Sequence, residues 1–204
     1  CVAGSGTSVG DHGNHVAGTI LGAGNVDPNA KGMADGSFLY TMLGSNNNNF
    51  DSIPDLYNSS NVLITSSSWG NTCNAGYTSL ANKLDKQIGD YPSLMHVFSA
   101  GNSGTSNCGY GAGSGWGNVT GGHKQAKNVI AVTNLDDSGV VVNGSSRGPA
   151  ADGRIKPDIC AKGTSVYSTA DPGFTSGYGS PFWTNSYVTI DGIQAMYMTI
   201  SGTS

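Results

Sequence analysis

The chain has 204 residues, of which 32 are glycine, 11% are charged and none is glutamate. Glycine is thus about twice as common as the usual ~7%, and the fraction of charged residues is less than half the usual ~25%. The lack of glutamate excludes HExxH metalloproteases, EF-hands and glycosidases with a glutamate pair. A net charge of −4 offers no basic surface for nucleic acid, and no apolar run reaches the ~18 residues that span a membrane. We therefore expect a loop-rich, extracellular protein of about one domain, either secreted or at the cell surface.

Short apolar runs separated by glycine-rich polar segments predict an α/β fold. In chain order, the predicted elements are a helix at 12–20, strands at 38–43 and 62–65, a helix at 77–88, and strands at 94–98, 129–132 and 196–200. The second helix places Leu80, Leu84 and Ile88 on one face. Because this helix leads into a short apolar strand, we expect βαβ units and a mainly parallel central sheet.

The four cysteines form no CxxC pair, which gives no support to a zinc or thioredoxin-type site. In an exported protein Cys73 and Cys108 could form a disulfide, although the sequence does not decide between that pairing and free thiols. Cys160 lies in an apolar stretch, and we expect it to be a buried thiol. A calcium site at Asp51 is conceivable, but a solvated turn is the favoured interpretation, so no metal ligand is predicted.

Three short segments carry the residue types that acyl transfer requires. They are DHGNHVAGT at 11–19, VFSAGNSG at 97–104 and SGTS at 201–204. A histidine that opens a helix is held rigidly, as a general base should be. An asparagine beside glycine after a buried strand can direct its amide into a cleft, and a serine in a Gly-Thr-Ser turn has an accessible hydroxyl.

These segments resemble the His, Asn and Ser motifs of the subtilisin-like serine proteases, the subtilases, in the same chain order. The resemblance covers residues 10–204, because AKNVIAV, SSRGP and DGRIKPDI also look like structural strands and turns of bacterial subtilases. It implies a three-layer subtilisin-like fold. It also implies that His12 is the general base, that Ser204 is the nucleophile, and that Asn102 and the Ser204 N–H form the oxyanion hole.

The resemblance further implies how substrate is bound. One wall of the primary specificity pocket, which lies antiparallel to bound peptide, is formed by Ser67, Ser68, Trp69 and Gly70. The second wall is formed by Ala100 and Gly101. Glycine and serine let the substrate backbone approach, so that the main chain binds an extended polypeptide as an added strand. The chemistry requires no cofactor; a structural calcium ion stays open, without a location.

The chain departs from the family pattern in two ways. The triad aspartate of the family precedes its histidine by tens of residues, whereas eleven residues precede His12, and the helix that follows the nucleophile is missing. We therefore interpret residues 1–204 as a partial peptidase domain, incomplete at both ends, whose partners include the missing terminal segments of its parent. Loss of the triad aspartate typically lowers kcat by ~10⁴, so we expect an active serine endopeptidase parent and an inactive isolated chain.

Two other functions stay open. A catalytically degenerate subtilase would bind peptide without cleaving it. A secreted adhesive module would suit the glycine- and serine-rich composition, but it predicts no ordered His-Asn-Ser set. Among the remaining polar residues, Asp11 is interpreted as a helix cap, and His15, His96 and His123 are interpreted as structural.

Overall fold

The computed structural model describes residues 11–42, 47–70, 73, 76–108, 112–170, 184–190 and 193–203. The chain divides into two compact units: unit 1 comprises Cys1–Met42 and Ser165–Ser201, and unit 2 comprises Leu43–Thr164 and Gly202–Ser204. The described α-helices are α1 (Asp11–Leu21), α2 (Ile53–Ser60) and α3 (Ser79–Asp90). The described strands are β1 (Ile64–Ser67), β2 (Met95–Ser99), β3 (Ile130–Leu135), β4 (Ile159–Lys162), β5 (Val166–Thr169), β6 (Thr184–Ile190) and β7 (Ile193–Ile200).

Unit 2 is built on a parallel sheet with strand order β1-β2-β3-β4. Helix α3 begins after Thr78, whose side chain caps the Ala81 N–H. It buries Leu80 and Leu84 in the core that also contains Phe98 of β2. The predicted α/β class with a mainly parallel central sheet is therefore confirmed.

Unit 1 contains an antiparallel sheet with strand order β5-β7-β6. Its buried apolar cluster includes Ala170, Met196 and Met198. Helix α1 packs on β5, where the Ser168 hydroxyl donates to the His15 carbonyl at 2.8 Å and the Thr169 hydroxyl donates to the Asn14 carbonyl at 2.9 Å. These side chains occupy the space that a Cβ on Gly18 would need, so glycine permits the close approach of helix and strand.

The strand predicted at 38–43 is wrong over its described part. Residues 38–42 form no strand, and Phe38 is 96% exposed. A strand requires a hydrogen-bonded neighbour, and no described strand pairs with this run. Conversely, α2 was not predicted, although Pro54 in its first turn and Asn61 in a left-handed conformation after its last residue are helix-boundary signals.

The expectation that Cys160 is buried is also wrong. Cys160 is an exposed free thiol on β4. That strand is at the edge of the described sheet and all four of its residues are exposed, so an apolar sequence here did not indicate burial. Asp51, by contrast, forms an ion pair with Lys83 at the surface.

Candidate active site

The two predicted walls leave the same edge of the parallel sheet of unit 2. Strand β1 ends at Ser67 and β2 ends at Ser99, and Ser67 lies opposite Phe98 in the parallel register. The first wall continues from β1 through Ser68 to Gly70, while the second wall follows β2 directly. Segments after the carboxyl ends of neighbouring parallel strands commonly form ligand sites, and the sheet places these two segments side by side.

The second wall is fixed by hydrogen bonds on both sides. The Ala100 N–H donates to the Val132 carbonyl at 2.8 Å, and the Thr120 N–H donates to the Ala100 carbonyl at 3.0 Å. The Ser146 N–H donates to the Gly101 carbonyl at 2.8 Å. Gly101 has a φ of +114°, and a Cβ there would overlap Thr120. Only glycine therefore fits this position without strain.

The Asn102 side chain is held by Thr203. The Thr203 N–H and hydroxyl both donate to Asn102 Oδ1, at 3.0 and 3.1 Å, and the same hydroxyl accepts the Gly101 N–H at 3.1 Å. A backbone N–H can only donate, so the atom that it meets must be the amide oxygen. Within the described part of the chain no hydrogen bond from Asn102 Nδ2 is found, so this group can donate to a ligand.

The peptide that leads to Ser204 lies beside this amide. A Cβ placed on Gly202 would be 3.4 Å from Asn102 Nδ2, and the Gly202 N–H donates to the Gly163 carbonyl at 2.9 Å. Ser204 itself lies outside the described residues. Its neighbour Thr203 is buried and anchors the segment through Asn102.

His12 is in the first turn of α1 in unit 1. Its ring is partly open to solvent, and the surrounding protein atoms still lower its pKa from the usual 6.5 by desolvation. A lowered pKa favours the neutral imidazole at neutral pH, which is the form that a general base requires. Asp11 is the first residue of α1, and its side chain lies outside the described residues.

The other histidines are buried. His15 lies one turn along α1, and its Nε2 is 2.9 Å from the Val166 carbonyl. His96 is hydrogen-bonded to Thr65 and Gln87, and burial lowers its pKa to about 4. Burial likewise lowers the pKa of His123 to about 4, and its ring packs on Trp69 with a centroid distance of 4.6 Å. Each has the surroundings expected of a structural side chain.

The Cys73–Cys108 disulfide is present, which confirms the predicted pairing. The two Cα atoms are 5.1 Å apart. Cys73 follows the first wall by three residues and Cys108 follows Asn102 by six. The bond therefore cross-links the two segments that continue from the walls.

Sequence reasoning missed three residues near the walls: Thr120, Lys124 and Thr203. Lys124 lies in the 3-10 helix Gly122–Gln125 and is 1% exposed. A lysine in a polar, glycine-rich segment is usually solvated, so the sequence held no sign of its burial. Thr203 could have been found from its place in the Gly-Thr-Ser motif.

No group of three or more metal-ligating side chains occurs in the described part of the chain. None of the described helices is long and apolar enough to cross a membrane.

The family model described as "Subtilase family" matches residues 3–204. Among curated proteins, the Serine protease/ABC transporter B family protein tagA of Dictyostelium discoideum is 28% identical in an alignment 103 residues long, which covers 45% of this chain and 6% of that protein.

Solved structures with a similar fold include a maturation protease, a protease domain and a macrocyclase. The prenylagaramide maturation protease PagA has a TM-score of 0.61 at 20% identity, over 95% of this chain and 58% of that one. The self-cleaved protease domain of PatA has a TM-score of 0.63 at 20% identity, over 94% and 60%. The PatG macrocyclase in complex with peptide has a TM-score of 0.60 at 15% identity, over 95% and 47%. The chain thus spans about three-fifths or less of these structures.

Proposed function

The chain belongs to the subtilase family, and on that premise we propose that it is the catalytic core of a serine endopeptidase. The Ser204 hydroxyl attacks the carbonyl carbon of a peptide bond while His12 takes the hydroxyl proton. The resulting imidazolium gives that proton to the leaving amine, and water then hydrolyses the acyl-enzyme by the same route. Asn102 Nδ2 and the Ser204 N–H stabilise the oxyanion.

The observation that carries this proposal is the hydrogen bonding of Asn102 to Thr203. An oxyanion hole needs a donor that is oriented before the reaction begins. Two hydrogen bonds to Oδ1 hold the Asn102 amide in one orientation. In this orientation Nδ2 lies beside Gly202, which precedes the proposed nucleophile by two residues.

The substrate proposed is an extended polypeptide bound along the two walls. Gly70 is exposed and has no side chain, so a peptide backbone can approach the first wall. The PatG macrocyclase, which has a similar fold, was solved in complex with peptide. The disulfide between Cys73 and Cys108 supports an extracellular location, since disulfides persist in oxidising compartments.

Labelling with a fluorophosphonate tests the nucleophile, because the probe reacts with an activated serine. We expect the full-length protein to be labelled at Ser204 and the Ser204→Ala variant to be unlabelled. Ser201→Ala is the matched control, since Ser201 lies in the same segment and its hydroxyl accepts the Ser165 N–H. It should keep the label.

His12→Ala should abolish peptide cleavage, and Asn102→Ala should lower kcat by about 10²- to 10³-fold. A folded protein that binds peptides but never labels at Ser204 would replace this proposal with the degenerate, peptide-binding alternative.

A further inference from the structure

Lys124 is a buried cation without a described carboxylate beside it. It is 1% exposed. Its described hydrogen-bond partners are two hydroxyls, Thr120 Oγ1 at 3.1 Å and Ser99 Oγ at 3.5 Å, and no described acid forms an ion pair with it. Buried charges in proteins are ordinarily paired, because an isolated charge loses its hydration.

Lys156, a second buried lysine of unit 2, serves as a comparison for the hydrogen-bond partners of Lys124. Lys156 is 4% exposed. Its Nζ donates to Asp158 Oδ2 at 2.6 Å and to the Val129 carbonyl at 2.9 Å. Lys156 is thus paired with a carboxylate, whereas the described side-chain partners of Lys124 are hydroxyls.

The Lys124 amine lies between the two walls. A Cβ on Gly70, in the first wall, would be 2.7 Å from both Lys124 Nζ and Thr120 Oγ1. A Cβ on Gly101, in the second wall, would overlap the same threonine. A Cβ on either wall glycine would thus meet Thr120, and a Cβ on Gly70 would also meet the Lys124 amine, which donates to the same threonine hydroxyl. Gly70 is exposed, so this amine lies directly behind a surface position that has no side chain.

We propose that Lys124 determines specificity: its ammonium binds the carboxylate of an aspartate or glutamate that precedes the scissile bond. This rests on the proposed function, in which the side chain of that residue enters between the two walls. The substrate acid then supplies the counter-ion that the described fold lacks. Hydrogen bonds to charged groups are strong enough for about a 10- to 100-fold preference over the uncharged amide.

The ionisation of Lys124 is consistent with this role. Burial lowers the pKa of its amine to about 7. A carboxylate brought beside the amine favours the charged form and raises that pKa again. Substrate binding would thus restore an ammonium that burial alone destabilises.

The test uses the full-length protein and three internally quenched peptides that differ only before the scissile bond, where they carry Glu, Gln or Leu. We expect kcat/KM for the Glu peptide to exceed that for the Gln peptide by about 10- to 100-fold. Lys124→Met should abolish this preference, so that the Glu and Gln peptides are cleaved with similar kcat/KM; the Leu peptide reports whether the variant is still active. Lys127→Met removes the same positive charge from an exposed lysine in the same segment, and it should keep the preference.

Each other outcome has a separate meaning. Cleavage of the Leu peptide without preference for Glu over Gln overturns the role of Lys124 while the proposed function stands. If no peptide is cleaved, the proposed function fails, and binding of the same peptides decides the inference. Tighter binding of the Glu peptide that Lys124→Met abolishes supports it; equal binding of the Glu and Gln peptides overturns it. If Lys124→Met does not fold, Lys124→Gln, which keeps a donor for the two hydroxyls, replaces it.

Discussion

Thr203 is hydrogen-bonded on two sides although it is neither the proposed nucleophile nor an oxyanion donor. Its hydroxyl accepts from the Gly101 N–H and donates to Asn102 Oδ1. We therefore interpret it as a positioning residue, which holds the second wall and the Asn102 amide that we propose as an oxyanion donor.

Replacing Thr203 tests this role. Thr203→Val removes the hydroxyl and leaves the buried Gly101 N–H without its acceptor, at a cost of about 1–3 kcal/mol. We expect kcat to fall by ten-fold or more with a smaller change in KM, because Asn102 loses orientation. Thr203→Ser keeps the hydroxyl and should restore most of kcat. Equal kcat for the Val and Ser variants would contradict the assignment.

Lys124 should also make stability depend on pH. The folded-state pKa is about 7 against an ordinary value of 10.5, so between these values the unfolded chain holds a proton that the folded chain has lost. The free energy of unfolding therefore rises with pH across this window. The adjacent His123 stays neutral there, since its pKa is about 4.

Urea unfolding at a series of pH values, compared with Lys124→Met, measures this effect. We expect the Met variant to be the more stable protein below about pH 7, because it lacks the buried charge, and the difference to shrink as the pH approaches about 10. A difference that is independent of pH would contradict burial of this amine.

At the scale of elements, the walls depend on the ends of β1 and β2 and on the 3-10 helix that packs against the first wall. Trp69 of the first wall rests on His123, and the ring of His123 also packs on Phe98 of β2 with a centroid distance of 5.0 Å. The 3-10 helix Gly122–Gln125 thus supports the first wall with one residue and places Lys124 behind it with the next.

The Cys73–Cys108 disulfide joins the continuations of both walls, so removing it should loosen them. The bond closes a loop with a sequence separation of 35, for which chain entropy predicts a stabilisation of about 4 kcal/mol. In Cys73→Ser/Cys108→Ser we expect a lower midpoint of unfolding and a higher KM for peptides. Cys160→Ser, at an exposed edge strand, should change neither. An unchanged KM in the double variant would separate the disulfide from substrate binding.

Helix α1 should be sensitive to a methyl group at Gly18, since Ser168 and Thr169 fill that space. We expect Gly18→Ala to lower the free energy of unfolding by about 1–3 kcal/mol. Gly89→Ala is the matched control: Gly89 is in α3, and a Cβ there meets no described atom within 4 Å. It should raise stability by about 0.5–1 kcal/mol. Equal effects at both sites would contradict the packing of α1 on β5.

At the scale of the whole molecule, protection should be greatest at the centre of the parallel sheet. Strands β2 and β3 each have described neighbours on both sides, and Phe98 and Ala131 on them are almost fully buried. We expect their amide protons to exchange most slowly in unit 2, with faster exchange in β1 and β4. Hydrogen exchange followed by mass spectrometry measures this order, and slower exchange in β4 than in β2 would contradict it.

Local pattern was a good guide for one helix and two strands of unit 2. The predicted helix at 77–88 and the strands at 94–98 and 129–132 correspond to α3, β2 and β3, and Leu84, Phe98 and Val129 within the predicted ranges belong to one buried cluster. Helix α2, which contributes Ile53 to the same cluster, was not predicted. The run at 38–43 and the thiol of Cys160 have equally apolar sequences, yet their described residues are exposed. Burial depends on a neighbouring element, and that is not a local property.

The order of the His, Asn and Ser motifs is enough to predict the family and the candidate roles of His12, Asn102 and Ser204, because each motif is short and contiguous. The orientation of the Asn102 amide depends on Thr203, a hundred and one residues away, and the burial of Lys124 depends on Ser99 and Thr120. Such contacts exist only after the strand ends have been brought together by the sheet. The family and the candidate site residues were therefore readable from the chain. The orientation of the Asn102 amide and the position of Lys124 behind the two walls were decided by tertiary packing, since hydrogen bonding and desolvation act through space and not along the sequence.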